Sequence, residues 1–143
     1  MFAHFRFARP VTDLARSAAM YVRGLGLQVI DSFEDHDGFD GVMLGHPDLG
    51  FHFEFTFCRH DPAIPAPTRE DLVVVYLPDR GEWADACARM LDAGFQAAMP
   101  FNPYWNLRAR TFIDPDGYCV VVAHERWPGA VGPDPVNPSS TRA

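Results

Sequence analysis

The residues best suited to chemistry stand on two short alternating stretches. In Phe51-His-Phe-Glu-Phe-Thr-Phe57, aromatic residues alternate with His52, Glu54 and Thr56. An extended chain sends successive side chains to opposite faces, so His52 and Glu54 share one face and the four phenylalanines the other. The N-terminal stretch His4-Phe-Arg-Phe7 alternates in the same way and puts His4 and Arg6 on a common face. If the two stretches meet, Arg6 has two possible uses. It either pairs with Glu54 and neutralises it, or grips a ligand carboxylate or phosphate while Glu54 or His52 moves a proton or holds an ammonium group. Glu54 and His52 are therefore the candidate catalytic residues, and Arg6 and His4 candidate ligand contacts. Tyr104 and Trp105, bracketed by Pro103 and Asn106, are candidates for an aromatic lid, the alternative being a loop anchored on the core. Arg108 and Arg110 share a face on the next stretch, as a second anion contact or as solvated surface.

Other chemistries lack their residues. All 12 basic residues are arginine, which removes Schiff-base catalysis and the lysine of a phosphate-binding GxxxxGK[ST] loop. There is no GxSxG elbow, and none of the four serines lies beside a helpful histidine. Cys58, Cys87 and Cys119 are an odd number without CxxC spacing, which speaks against a disulfide framework or zinc knuckle and for reduced, cytoplasmic thiols. Cys119 shares its parity with Val121 in a run that reads as buried wall. His36, between Asp35 and Asp37, reads as a solvated turn and not as a chelate. The net charge of −7 repels a phosphate backbone, so no nucleic acid is expected. No window of 18 apolar residues occurs, so no membrane span is expected either.

The elements that must position these groups repeat once. A strand over residues 4 to 9 is followed by Thr12 and Asp13 capping a helix. That helix carries Leu14, Ala18, Tyr21, Val22 and Leu25 on its apolar stripe, and Gly24 and Gly26 close it. Strands are predicted near 27 to 34, 39 to 45 and 51 to 57, the first two joined through His36-Asp-Gly38. The second half runs Leu72-Val-Val-Val-Tyr-Leu77, then a helix opened by Asp79 with Trp83, Cys87, Met90 and Leu91 on one face and Gly94 as its stop. Short strands follow near 95 to 99, 109 to 113 and 118 to 124, the last two split by the Asp114-Pro-Asp-Gly117 turn. The helix starts Asp13 and Asp79 are 66 positions apart, and Gly26-Leu-Gln-Val29 precedes Gly94-Phe-Gln-Ala97 by 68. At 143 residues and 48% hydrophobic the chain builds one domain, about residues 1 to 127. It divides into module one at about 4 to 57, a proline-rich linker at 60 to 70 and module two at about 71 to 125. The stretch 128 to 143 reads as a loosely ordered tail. The reading is α+β, two tandem βαβββ modules forming a β-cup; a ferredoxin-like α+β domain is the competing fold.

Several of these stretches resemble the vicinal oxygen chelate superfamily, which groups glyoxalases, bleomycin-resistance proteins and extradiol dioxygenases. They are the Asp-Leu start of the first helix, its Tyr21…Gly24-Leu-Gly26 end, the Phe51-His-Phe-Glu54 strand and the Asp114-Pro-Asp-Gly117 turn before a valine-rich strand. Asp35-His-Asp-Gly-Phe-Asp-Gly-Val42, His52-Phe-Glu-Phe-Thr56 and Asn102-Pro-Tyr-Trp105 look most like its YycE-like group. The resemblance implies paired modules closing around a cavity, usually as a dimer, with metal ligands on the first and last strand of each module. Those slots fall on Arg6, Glu54, near Val73 and on Val121. A guanidinium has no lone pair to give and valine has no donor atom, so only Glu54 fits a metal. The expectation is a metal-free, homodimeric small-molecule binder with a degenerate metal site and no cofactor, although a divalent ion is not excluded. The alternatives are a glyoxalase-like lyase or isomerase using Glu54 with His52 or His4, and a dimeric interaction module.

Overall fold

The computed structural model describes residues 1–127. The predicted tail at 128 to 143 lies outside the described residues. Module one runs β1 (Phe5–Pro10), α1 (Leu14–Leu25), β2 (Gln28–His36), β3 (Phe39–Gly45) and β4 (Phe51–Cys58). Module two runs β5 (Leu72–Tyr76), α2 (Arg80–Asp92), β6 (Gln96–Ala98), β7 (Ala109–Ile113) and β8 (Cys119–Ala123), with a 3-10 turn at Pro103–Asn106. Each module is thus βαβββ, and the fold is α+β. The sheets have matching orders, β1-β4-β3-β2 and β5-β8-β7-β6, in which the first strand runs parallel to the last and the remaining pairs are antiparallel.

The helix starts follow local chemistry. Asp13 and Asp79 each accept the backbone N–H three residues on, from Arg16 and Glu82, which satisfies a donor that the first turn leaves open. Thr12, expected to share the cap, instead gives its N–H and hydroxyl to Asp116 of module two, at 3.0 and 2.5 Å. Gly26, at φ 70°, ends α1 in the left-handed region that a side chain resists. Gly24 does not end the helix. It lies within α1, where an added Cβ would sit 2.8 Å from Met90 Sδ and 3.1 Å from the Phe95 ring; its missing side chain lets the helices approach.

One core joins both modules. The apolar faces of the two sheets and the facing stripes of α1 and α2 bury Tyr21, Leu44, Phe55, Met90, Phe112, Val120 and Val122 together. Each large side chain removed from water contributes roughly 1.5–3 kcal/mol. Of the four alternating phenylalanines only Phe53 and Phe55 reach this core; Phe51 lies near the junction between modules and stays 36% exposed. Leu91 was expected beside Cys87 and Met90, but at 48% exposure it has rotated off the buried stripe. Strand β2 runs two residues further than predicted, through His36, so the turn is carried by Asp37 and Gly38, both at positive φ.

A buried polar group ties the modules together. Arg9 is 6% exposed, and its guanidinium lies 3.9 Å from the Tyr118 ring centroid, donates to the Tyr21 hydroxyl and stands 3.9 Å from Asp114. Tyr21 in turn donates to Asp114 at 2.8 Å, and burial pushes its hydroxyl well above the ordinary tyrosine range. Asp114 also accepts the N–H groups of Asp116 and Tyr118, so the turn before β8 is pinned to α1 and β1.

Candidate functional site

The face of each sheet turned away from the helices is where the predicted site residues stand. On module one, the parallel register sets Arg6 beside His52 and Ala8 beside Glu54, while β3 places Gly45 and Met43 opposite the same two β4 residues. Gly45 gives His52 its room, since a Cβ there would lie 3.0 Å from the His52 Cβ. Gly41 serves similarly, because the Phe33 ring occupies the space its side chain would need.

The four polar groups predicted for this face are brought together. Arg6 Nε donates to His52 Nε2 at 2.9 Å, His52 Nδ1 and His4 Nε2 are 2.6 Å apart, and Arg6 Nη1 is 2.9 Å from Glu54 Oε2. This geometry settles the protons. Arg6 can only donate, so His52 Nε2 must accept; a neutral imidazole then carries its proton on Nδ1 and gives it to His4 Nε2. Burial, then the Arg6 charge, then His4 hold His52 below the ordinary histidine pKa, with Glu54 pulling weakly the other way. His52 is 8% exposed, whereas the Arg6 side chain is half in solvent. Glu54 Oε2 is buried and in ion-pair contact, yet no donor reaches it at hydrogen-bonding angles. It keeps a lone pair for a proton or a ligand donor.

Tyr104 and Trp105 do not join that group. They pack edge to face at 4.9 Å in the 3-10 turn, which Asn102 caps by accepting the Tyr104 N–H. Trp105 helps close a cavity of about 190 Å³ on the module-two face, whose walls include Leu72, Ile113, Cys119 and Val121, with Phe101 and Met99 on the loop side. Thr111 opens onto this cavity with a hydroxyl that is buried and has no partner. Sequence reasoning passed over Thr111; its signal was a hydroxyl at the same parity as Val121, one strand away. Cys119 lines the same wall, and burial pushes its thiol up, away from the thiolate a nucleophile needs. Tyr104 lines a separate cavity with Leu107, Arg108 and Glu125.

The slot expected near Val73 is corrected. Val73 is in register with Val120 and packs toward the core, so Leu72 and Val74 are the β5 side chains on the concave face, Val74 beside Val121. Arg108 and Arg110 also face away from the cup, with Arg110 lying over the Trp83 ring at 5.6 Å. The donor set does not suit a divalent ion. The two donors nearest each other on β4, His52 Nε2 and Glu54 Oε2, already contact a fixed cation, and module two offers valines. Among the described residues no three His, Cys, Asp or Glu side chains converge to hold a metal.

Known proteins are similar to this chain over nearly all of the described residues. A YycE-like N-terminal domain model matches residues 5–56 and a YycE-like C-terminal domain model residues 70–124. The chain belongs to the YycE-like family. Protein YycE of Bacillus subtilis is 36% identical over 124 residues, 87% of this chain and 89% of that protein. The crystal structure of a Bacillus subtilis YycE protein superposes with a TM-score of 0.83 at 34% identity, covering 90% of this chain and 94% of the other. More distant likenesses show the fold alone. The trypanothione-dependent glyoxalase I of Leishmania major has a TM-score of 0.65 at 19% identity, covering 84% of each chain. The fosfomycin resistance protein FosX of Mesorhizobium loti has a TM-score of 0.64 at 12% identity, covering 89% of this chain and 93% of the other. The fold is therefore the paired βαβββ one that these glyoxalase and fosfomycin resistance proteins share, as the resemblance to the vicinal oxygen chelate superfamily implied.

Proposed function

We propose that this YycE-like protein binds a small organic ligand without a metal, as a homodimer in which one chain's polar concave face closes on its partner's apolar one. The observation that carries this reading is the module-two cavity. A buried hydroxyl without a partner costs on the order of 1–3 kcal/mol, and a largely apolar cavity lined by one such group together with Arg69 and Asn102 suits a ligand with an apolar body and a few hydrogen-bonding atoms. His4 and Arg6 would meet the ligand's polar end, and Arg6, in place of a metal ligand, makes the metal site degenerate. Two open faces, together with exposed Met99 and Phe101 beside the module-two cavity, support a second copy as the cover. Three free cysteines suit a reducing cytoplasm. No helix among the described residues is long and apolar enough to cross a membrane.

The test is a small-molecule thermal-shift screen on untagged protein, with metal analysis and light scattering of the same sample. Hits should lose most of their shift in Thr111→Val, and the species in solution should have twice the chain mass. Stoichiometric metal whose removal lowers the melting temperature would sink the reading.

Glu54 favours a second reading. A buried carboxylate oxygen without a hydrogen bond, next to a histidine held neutral, is a proton acceptor in waiting, as a lyase or isomerase needs. On that reading Glu54→Gln keeps ligand affinity and abolishes turnover. Loss of both together would assign Glu54 to binding instead.

A further inference from the structure

Away from both concave faces, α2, β7 and the end of β8 enclose a cleft of about 370 Å³ lined by Arg80, Arg108, Arg110, His124, Trp83 and Asn106. Its charge runs against that of the chain as a whole, whose net charge is −7. Arg6, Arg9 and Arg59 each stand within 4 Å of a carboxylate. Arg80, Arg108 and Arg110 have no carboxylate that close among the described residues. The acidic groups nearest in sequence are otherwise placed. Asp79 caps α2, Glu82 follows in the same turn, and Glu125 lines the neighbouring cavity with Arg108.

The cluster is built by the elements and not by chance side-chain reach. Arg108 and Arg110 are two residues apart at β7, so they leave it on one face, the face that Phe112 continues into the core. Arg80 is the first residue of α2, where the helix dipole disfavours a cation. Trp83 is fixed between them. Its indole N–H donates to the Val122 carbonyl at 3.0 Å, the His124 ring stacks on it at 5.4 Å, and Arg110 lies over it at 5.6 Å. Three guanidiniums that repel one another, one of them at an unfavourable helix end, are relieved by a ligand carrying more than one negative charge. Guanidinium forks match phosphate oxygens in pairs.

We propose that this cleft is a binding site for a small phosphorylated molecule. A single carboxylate would engage one fork and leave the other two cations unpaired. A nucleic acid would need a basic stripe, where this acidic surface offers one confined cleft. The site is independent of the concave faces and of what they bind.

Inorganic pyrophosphate is the probe, titrated into the full chain at low salt and followed by amide and indole NMR shifts and by calorimetry. Saturable binding is expected, with the largest shifts at the Trp83 indole N–H, Ala109 and His124, and with affinity falling as salt rises. Arg108→Gln with Arg80→Gln should weaken binding by about tenfold or more, and both positions are solvent-exposed, so the melting temperature should hold. Arg110→Gln is the second probe, reported by its own shift at Trp83. The proposal is overturned by absence of saturation up to about 10 mM pyrophosphate. It is equally overturned by unchanged affinity in the variants, or by shifts centred on Arg6 and His52.

Discussion

The two concave faces have the same scaffold and opposite contents. On module one, β1 and β4 present His4, Arg6, His52 and Glu54 in a connected polar group. On module two, the corresponding β5 and β8 present Leu72, Val74, Cys119 and Val121, with the Thr111 hydroxyl beside them on β7 and Arg69 and Asn102 at the cavity's loop side. Strand order, parallel pairing and helix capping are shared, so the backbone does not dictate which face carries charge. The side chains do, and each face constrains its own substitutions. Burying a charge among valines has no compensation, whereas removing one from a network leaves a partner behind.

That contrast can be broken hardest from the apolar side. Val121→Glu puts a carboxylate at a position with 0% exposure, where module one has its glutamate, and the cation lining the same cavity, Arg69, already lies over the Phe101 ring. A loss of about 2–4 kcal/mol is expected by denaturant unfolding; a loss below about 1 kcal/mol would mean the two faces are electrostatically alike.

Arg6→Leu tests the polar side. It strips the cation from the buried Glu54 oxygen and the donor from His52, and should cost about 1 kcal/mol, the smaller value reflecting the solvent around the half-exposed guanidinium. Adding Glu54→Leu should recover part of the loss, since the orphaned carboxylate then goes too. A double variant less stable than the single would show that Glu54 has other support.

The pH dependence should also separate the faces. Folding lowers the His52 pKa, so the unfolded chain binds that proton more readily and stability falls as pH drops below about 6.5. One proton limits the slope to about 1.4 kcal/mol per pH unit. Unfolding curves between about pH 8 and pH 5 should steepen on acidification in the native chain and flatten in His52→Gln. An identical slope in both would assign the dependence to other groups.

The smallest effect belongs to Thr111→Val. With no partner to lose, the hydroxyl's removal should leave stability unchanged or raise it by up to about 1 kcal/mol. Destabilisation would reveal a bond to the hydroxyl and weaken the case for a ligand there.

Much of the fold was legible along the chain because its causes are local. Asp13 and Asp79 cap helices through their own backbones, the 66-residue offset reflects a repeated unit, and alternation assigned the faces of β1 and β4. The meeting of Arg6 with Glu54 followed from the same parity once the strands paired. Parity failed where a face changes its surroundings along one element, as with exposed Phe51 and Leu91.

What the chain by itself determined was two capped, alternating βαβββ units and the polarity of each strand face, since these depend on residues within a turn or two of one another. Only the tertiary structure decided which distant groups share a space. Arg9, Tyr21 and Asp114 lie up to 105 positions apart and form one buried group across the modules. Trp105 closes the module-two face and does not reach Glu54, and three arginines from α2 and the start of β7 share a single cleft. Such meetings depend on how sheets and helices pack, and no periodicity within a single element encodes that.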